Sequence, residues 1–188
     1  MNPQKRASLA GDALLEKGHM EKRKRKLLRL AGICMIAAGG MILAFFGYRK
    51  ISRELYLKKL LESNTVLEIP ALHIKVPVLE GTNSKALEVS AGHFEGCGTP
   101  GHSNYCLAGH NSTIYAEIFN DLDQIQIGNE IFVTETDGTS YCYVVSDYQI
   151  IAPTDTQVLH DFGDDRITVI SCTDDGQYRQ IVVGMLQP

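Results

Sequence analysis

Nineteen consecutive residues, Leu30 to Tyr48, carry no charge, and this run constrains the chain more than any other. At about 1.5 Å of rise per residue a helix of that length just crosses a hydrocarbon core of roughly 30 Å. Lys22, Arg23, Lys24, Arg25, Lys26 and Arg29 precede it, and Arg49, Lys50 and Arg53 follow. The heavier N-terminal bias predicts a single span with the N-terminus in the cytoplasm and everything after the span outside. The run is long for the apolar region of a cleaved signal peptide and starts deep in the chain. A buried soluble helix would need a cover that residues 1–29 do not supply. Gly32, Gly39, Gly40 and Gly47 are ordinary for a membrane helix, and Cys34 reads as one more small apolar residue.

Charge divides at the same place. Residues 1–63 hold fourteen Lys/Arg against five Asp/Glu, whereas residues 64–188 hold four against seventeen. So acidic an outer part lacks the clustered cations that phosphate contacts require, which excludes nucleic acid as its partner. Four segments follow: a basic cytoplasmic tail over 1–29, mobile or weakly helical; the anchor, 30–48; a juxtamembrane helix or linker, 49–63; and an outer domain, 64–188. Ile51, Leu55, Leu57, Leu60 and Leu61 give the linker an amphipathic spacing that suits a stalk.

Beyond Val66 the pattern changes to short strands. Leu67–Ile69, Ile74–Leu79, Tyr105–Ala108, Glu130–Val133, Tyr141–Val145, Tyr148–Ile151, Ile167–Ile170 and Ile181–Met185 are apolar or alternating runs. Gly, Pro, Asn and Asp separate them. Helical stretches are brief, at Ser84–Val89 and at Tyr115–Leu122, the latter with Ile118, Phe119 and Leu122 inward. Without long helices between the strands, βαβ folds are excluded and a mainly-β barrel or sandwich remains.

The chemistry gathers around Ile167–Gly184. Two β-branched runs flank a turn containing Asp174-Asp175-Gly176, with Cys172 at the end of the first run and Arg179 at the start of the second. A hairpin would bring thiol and guanidinium to one rim, where the fixed cation favours the nucleophilic thiolate. Such a cysteine needs a histidine close in space, and His110, in Ala108-Gly109-His110-Asn111, is the best candidate. The other outer cysteines, Cys97, Cys106 and Cys142, raise the question of disulfides, but Cys106 and Cys142 lie in apolar strands, where cysteine behaves as a small hydrophobe. A Cys97–Cys106 bridge is not expected. A competing reading uses His93, Cys97, His102 and Cys106. If Gly98–Gly101 closed a hairpin, Cys97 would face His102 and His93 would face Cys106, and the four would share one face as a tetrahedral Zn²⁺ site. That reading makes the domain a non-catalytic binding module or zinc-stabilised scaffold.

Gly92-His93-Phe94, Pro100-Gly101, Asn104, Ala108-Gly109-His110, Pro153-Thr154-Asp155 with Val158-Leu159, and Ser171-Cys172-Thr173 followed by Arg179 occur in an order that resembles the sortase family of surface transpeptidases, class D most and class A next. The resemblance implies a closed eight-stranded β-barrel with one or two short helices. It implies cleavage of a Leu-Pro-x-Thr-Gly-like sorting signal between Thr and Gly through a thioacyl enzyme, then transfer to an amine of a peptidoglycan precursor or another surface protein. In it, Cys172 is nucleophile, His110 general acid and base, and Arg179 the oxyanion and substrate clamp. Ser171, Pro153, Thr154 and Asp155 are expected to contact substrate. No cofactor is required, and no metal is assigned to the catalytic group. For Asp161, Asp164, Asp165, Asp174 and Asp175 three readings stay open: solvated loop charges, a Ca²⁺ site as in some sortases, or contacts to the amine. The departure from the commoner Leu-x-Thr-Cys ending, with Ser171 before the cysteine, leaves subclass and signal preference open.

Overall fold

The computed structural model describes residues 3–83, 87, 89–111 and 118–188; ahead of Leu30 it describes side chains only at Lys24 and Lys26. The chain separates into two compact units, Met1–Glu54 and Leu55–Pro188. In the first, α1 begins at Pro3, and it runs unbroken to Ser63. The tail expected to be mobile or weakly helical is thus continuous helix with the apolar run. Leu30–Ser63 is long and apolar enough to cross a membrane by length and composition. Met35, Ile36 and Leu43 have no protein cover, each more than two-thirds exposed. A long run of bare, large apolar side chains of this kind is what a helix able to cross a membrane presents.

The second unit is a closed barrel of eight strands: β1 (Val66–Ile69), β2 (Ile74–Glu80), β3 (Ala91–His93), β4 (Asn104–Ala108), β5 (Glu130–Thr134), β6 (Ser140–Ile151), β7 (Arg166–Cys172) and β8 (Arg179–Leu186). Around the barrel the order is β1-β2-β3-β4-β7-β8-β6-β5. The β2–β3 and β4–β7 pairs are parallel and the rest antiparallel. Closure removes the exposed edges that an open sheet would present.

The eight expected strands differ from the eight observed in two places. Tyr141–Val145 and Tyr148–Ile151 are one strand, β6, whose register shifts between Val145 and Asp147. The extra residue of a bulge bends a strand without ending it, and the polar Ser146-Asp147 pair marks that bend. The three buried residues of β3 were not expected to form a strand at all. Of the two expected short helices, residues 84–86, 88 and 112–117 lie outside the described residues. Leu87 donates its N–H to the Asn83 carbonyl at 3.1 Å, a helical spacing. Phe119 and Leu122 are fully buried, as their inward assignment requires, and Ile118 packs against them.

Strand alternation sorts the side chains into two apolar clusters. Leu67, Ile69, Leu107, Ile131, Val133, Tyr143, Val169 and Val182 fill the barrel interior together with Phe119 and Leu122. On the outer face of β7 and β8, Ile170, Ile181 and Val183 pack with Phe94, Ile151, Val158 and Leu159. Odd-numbered residues of β7 and even-numbered residues of β8 therefore face inward. Cys172 and Arg179 fall on the outer face, at one end of this second cluster.

Candidate active site

Two adjacent strands bring Cys172 and Arg179 to one rim, and a third, β4, ends two residues before His110. Cys172 closes β7 and Arg179 opens β8, and the antiparallel register sets them directly opposite. Residues so paired have Cβ atoms about 4.5–5.5 Å apart. On the other side of β7, the parallel register with β4 ends at Ala108 opposite Ile170, and Gly109 extends it by donating its N–H to the Ile170 carbonyl at 3.1 Å. Continued by two residues, the same register sets His110 beside Cys172. Next to Arg179, on β6, lies Ile151, from which the Ala152–Asp155 turn departs.

Local sequence explains each placement. The β7–β8 connection is a tight loop closed by Thr173 N–H to Tyr178 O at 3.1 Å and Gly176 N–H to Thr173 O at 2.7 Å. Asp175 braces it by accepting from the Thr173 hydroxyl (2.6 Å) and the Gln177 N–H (3.0 Å), and these bonds hold its carboxyl below the usual carboxylate range. Gly109 must be glycine for a steric reason: a Cβ there would lie 2.2 Å from the Phe119 ring. Phe119 is thus packed against the backbone immediately before His110, and its N–H donates to the His110 carbonyl at 3.2 Å.

Arg179 Nη1 donates to Tyr178 O at 3.1 Å and to Gly176 O at 3.5 Å. Its guanidinium thus rests on the carbonyls of its own loop, and a fork of five donors can turn from there to a bound carbonyl.

Ser171 is placed otherwise than expected. It lies on the inner face, 2% exposed, and its hydroxyl donates to the Gly109 carbonyl at 3.0 Å. It ties β7 to the segment between β4 and His110 and has no surface to offer a substrate. Pro153, Thr154 and Asp155 are exposed in the turn after β6, where the Asp155 carboxylate accepts the Gln157 N–H at 3.1 Å. The following 3₁₀ turn, Gln157–Leu159, is fixed to the outer face by Asn104. Asn104 Nδ2 donates to both Val158 O and His160 O at 2.8 Å, while its Oδ1 accepts the Thr168 hydroxyl at 2.7 Å.

The hairpin required by the zinc reading does not form. Thr99 bridges His102, and His93 lies opposite Leu107, so the four residues do not share the required register. His93 Nδ1 meets the Glu80 carboxylate at 3.0 Å, and Nε2 meets the carbonyls of Cys97 and Gly98 at 3.0 Å. Both ring nitrogens are committed to oxygen atoms. Cys97, Cys106 and Cys142 are free thiols. Burial and the neighbouring Cys97 push the Cys106 thiol far up, so it is inert as a nucleophile. Among the described residues no three His, Cys, Asp or Glu side chains converge on a metal position. Asp161 and Asp165 accept backbone N–H groups and Asp164 pairs with Arg166.

Two further residues, which the sequence reading gives no role, touch the peptide of Cys172. Asn111 Nδ2 donates to the Cys172 carbonyl at 2.9 Å and to Asp174 Oδ1 at 3.0 Å. Gln180 Nε2 donates to the same carbonyl at 2.8 Å, and its Oε1 accepts the Tyr148 hydroxyl at 3.1 Å. Gln180 could have been suspected as a polar residue in an otherwise apolar strand.

Comparison with known proteins agrees with this geometry. Residues 67–187 match the family model described as a Sortase domain. Sortase A of Bacillus anthracis is 30% identical over 122 residues, which are 64% of this chain and 58% of that protein. Sortase D of Bacillus subtilis is 24% identical over 99 residues, 52% of this chain and 48% of that one. The chain thus spans about half the length of these curated relatives. Among solved structures, a Clostridium perfringens Sortase D5 transpeptidase superposes with a TM-score of 0.61 at 30% identity, covering 67% of this chain and 79% of that one. Sortase C-1 of Actinomyces oris gives 0.61 at 30%, covering 66% and 73%.

Proposed function

Because the chain belongs to the sortase family, which its residues 67–187 match, we propose that it is a membrane-anchored cysteine transpeptidase acting on sorting signals of exported proteins. What supports this reading most is the pairing of Cys172 with Arg179 across β7 and β8, beside an apolar outer surface and two residues past the end of the β4–β7 ladder that leads to His110.

The substrate lies extended along that surface, with its Leu-Pro-x-Thr-Gly signal near Val158, Leu159 and Ile181. The Cys172 thiolate attacks the Thr carbonyl, and Arg179 turns from its loop carbonyls to donate to the developing oxyanion. His110 protonates the leaving amine as the C–N bond breaks and a thioester remains. An incoming amine gives its proton to His110, attacks the thioester and releases Cys172. The acceptor is an amine of a peptidoglycan precursor or of another surface protein. Pro153, Thr154 and Asp155, leaving β6 beside Arg179, line the end of the groove. No cofactor takes part. Leu30–Tyr48 spans the membrane, with Lys22–Lys26 inside and the barrel outside. The absence from the sequence of a lid segment and of a long helix between Pro153 and Arg166 supports class D or A over B or C.

The decisive experiment incubates the detergent-solubilised chain with a peptide library and an amine, and reads products by mass. Transfer at a Thr–Gly bond, abolished by Cys172→Ala and lowered about 10²–10⁴-fold by His110→Ala, is the expected result. Cys97→Ala, Cys106→Ala and Cys142→Ala should keep most activity. Turnover that survives Cys172→Ala would refute the assignment.

A further inference from the structure

The carbonyl of Cys172 occupies a place where the β ladder should hold it and does not. Peptide groups along a strand alternate in direction, so the carbonyls of Ile170 and Cys172 both point towards β4. Ile170 O takes the Gly109 N–H at 3.1 Å in the ordinary way. Two residues on, beyond the end of β4, the Cys172 carbonyl is held by two side-chain amides instead. Asn111 reaches it with Nδ2 at 2.9 Å and Gln180 with Nε2 at 2.8 Å.

Both amides are themselves held. Tyr148 donates its hydroxyl to Gln180 Oε1 at 3.1 Å, fixing which end of the amide faces Cys172. Asn111 spends its second Nδ2 hydrogen on Asp174 at 3.0 Å. Gln180 is only 2% exposed, at the end of the barrel interior. A methionine would fill the same volume without the cost of burying an amide. A buried glutamine whose donor is aimed at the peptide carbonyl of the cysteine therefore calls for more than a packing explanation.

We propose that Gln180 and Asn111 are positioning residues that fix the peptide plane of Cys172, and with it the direction of its Cα–Cβ bond, relative to His110. Asn111 is the next residue after His110, so its amide couples the histidine's segment to the cysteine's carbonyl directly. Gln180 does the same from β8, where its neighbour is Arg179. His110, Cys172 and Arg179 are thereby referred to one oxygen atom. This role rests on the cysteine reading given above. It extends that reading to two residues whose amides bond the Cys172 carbonyl.

The test uses the full chain in detergent micelles and two independent readouts. One is the pH profile of Cys172 alkylation by iodoacetamide, read by mass on the peptide containing it, which needs no substrate. The other is acylation by a fluorophore-labelled Leu-Pro-Glu-Thr-Gly peptide with hydroxylamine as the amine. Gln180→Met should lower the acylation rate about 10- to 100-fold, the order expected for an ångström of misplacement, with KM within about twofold. It should also displace the alkylation profile. Tyr148→Phe should give a smaller loss that vanishes in the Gln180→Met background, since the hydroxyl acts through that amide. If Gln180→Met loses its cooperative melting transition, Asn111→Ala decides, with the same direction expected in both readouts. Alkylation profiles that superpose on the wild type, with acylation within twofold, would overturn the positioning role. A wild-type chain that leaves the peptide uncut would overturn the transpeptidase reading instead, and the alkylation profiles would still decide the role of the amides.

Discussion

Replacing Asn104 with leucine should release the turn over the outer apolar cluster while leaving the barrel closed. Asn104 is 1% exposed and makes three hydrogen bonds: two from Nδ2, to Val158 O and His160 O, and one to Oδ1, from Thr168. Leucine matches its shape but makes none of them. The two carbonyls lie near the surface, where water can replace the amide, so their loss costs about 0.5–1.5 kcal/mol each. That roughly 1–3 kcal/mol appears as local opening, raising the open population about 5- to 150-fold. The Thr168 hydroxyl is different. It is 1% exposed, and orphaning it should lower global stability by about 1–3 kcal/mol. Hydrogen exchange of the Leu159 and His160 amides, which close the turn onto Thr156 and Gln157, reads the first quantity. Urea unfolding reads the second. Adding Thr168→Val should recover part of the global loss, because the orphan then disappears, but none of the turn's protection. Unchanged protection at 159–160 in Asn104→Leu would refute the claim that this side chain holds the turn.

Three further outcomes follow from the geometry. Burial pushes the Tyr143 phenol from its ordinary 10 up to about 12. Its stabilising contribution is therefore complete below pH 10 and is lost as pH rises from about 10 to about 12. Melting temperature should fall less steeply over that window in Tyr143→Phe than in the wild type, although the variant loses the bond from Gly101 N–H to the Tyr143 oxygen and starts lower by about 1–3 kcal/mol. Arg179→Lys should slow acylation nearly as much as Arg179→Ala, about 10²–10³-fold for a lost oxyanion donor, because a flexible ammonium does not reproduce a planar fork. A lysine variant that acylates at the wild-type rate in single-turnover kinetics would reduce Arg179 to a local charge. Gly109→Ala must displace Phe119 or the backbone before His110. It should cost about 1–3 kcal/mol in stability by overpacking and lower turnover; unchanged urea unfolding and turnover would show that the contact gives way freely.

What could be read in advance depended on how local the signal was. The runs 167–170 and 181–183 are β-branched and contiguous, so β7, β8 and the positions of Cys172 and Arg179 at their ends were legible. Ala91-Gly92-His93 shows no alternation, and β3 is recognisable only from its neighbours β2 and β4. Ser146-Asp147 looks like a turn between strands because a bulge and a turn both tolerate polar residues. The resemblance places Ser171 with the substrate contacts, whereas the period of two sends adjacent residues of a strand to opposite faces, so Ser171 faces inward and Cys172 outward. The roles of Asn104, Asn111 and Gln180 were hidden for another reason. The first two have hydrogen-bond partners more than fifty residues away in sequence, and the face on which Gln180 lies is fixed only once the barrel closes.

The parallel pairing of β4 with β7 also governs when the molecule can become active. Asn104 lies against Arg166, so this ladder joins residues about sixty positions apart, and closing so long a loop must precede any gain from the contacts it makes. A chain emerging N-terminus first exposes His110 well before Cys172, and Cys172 before Arg179. None of the three has its neighbour until β7 docks on β4 and β8 on β7. Barrel closure dominated by such distant pairings belongs to the slow end of two-state folding, roughly milliseconds to seconds. For that interval Cys172 is present without the neighbours on β4 and β8 that surround it in the closed barrel.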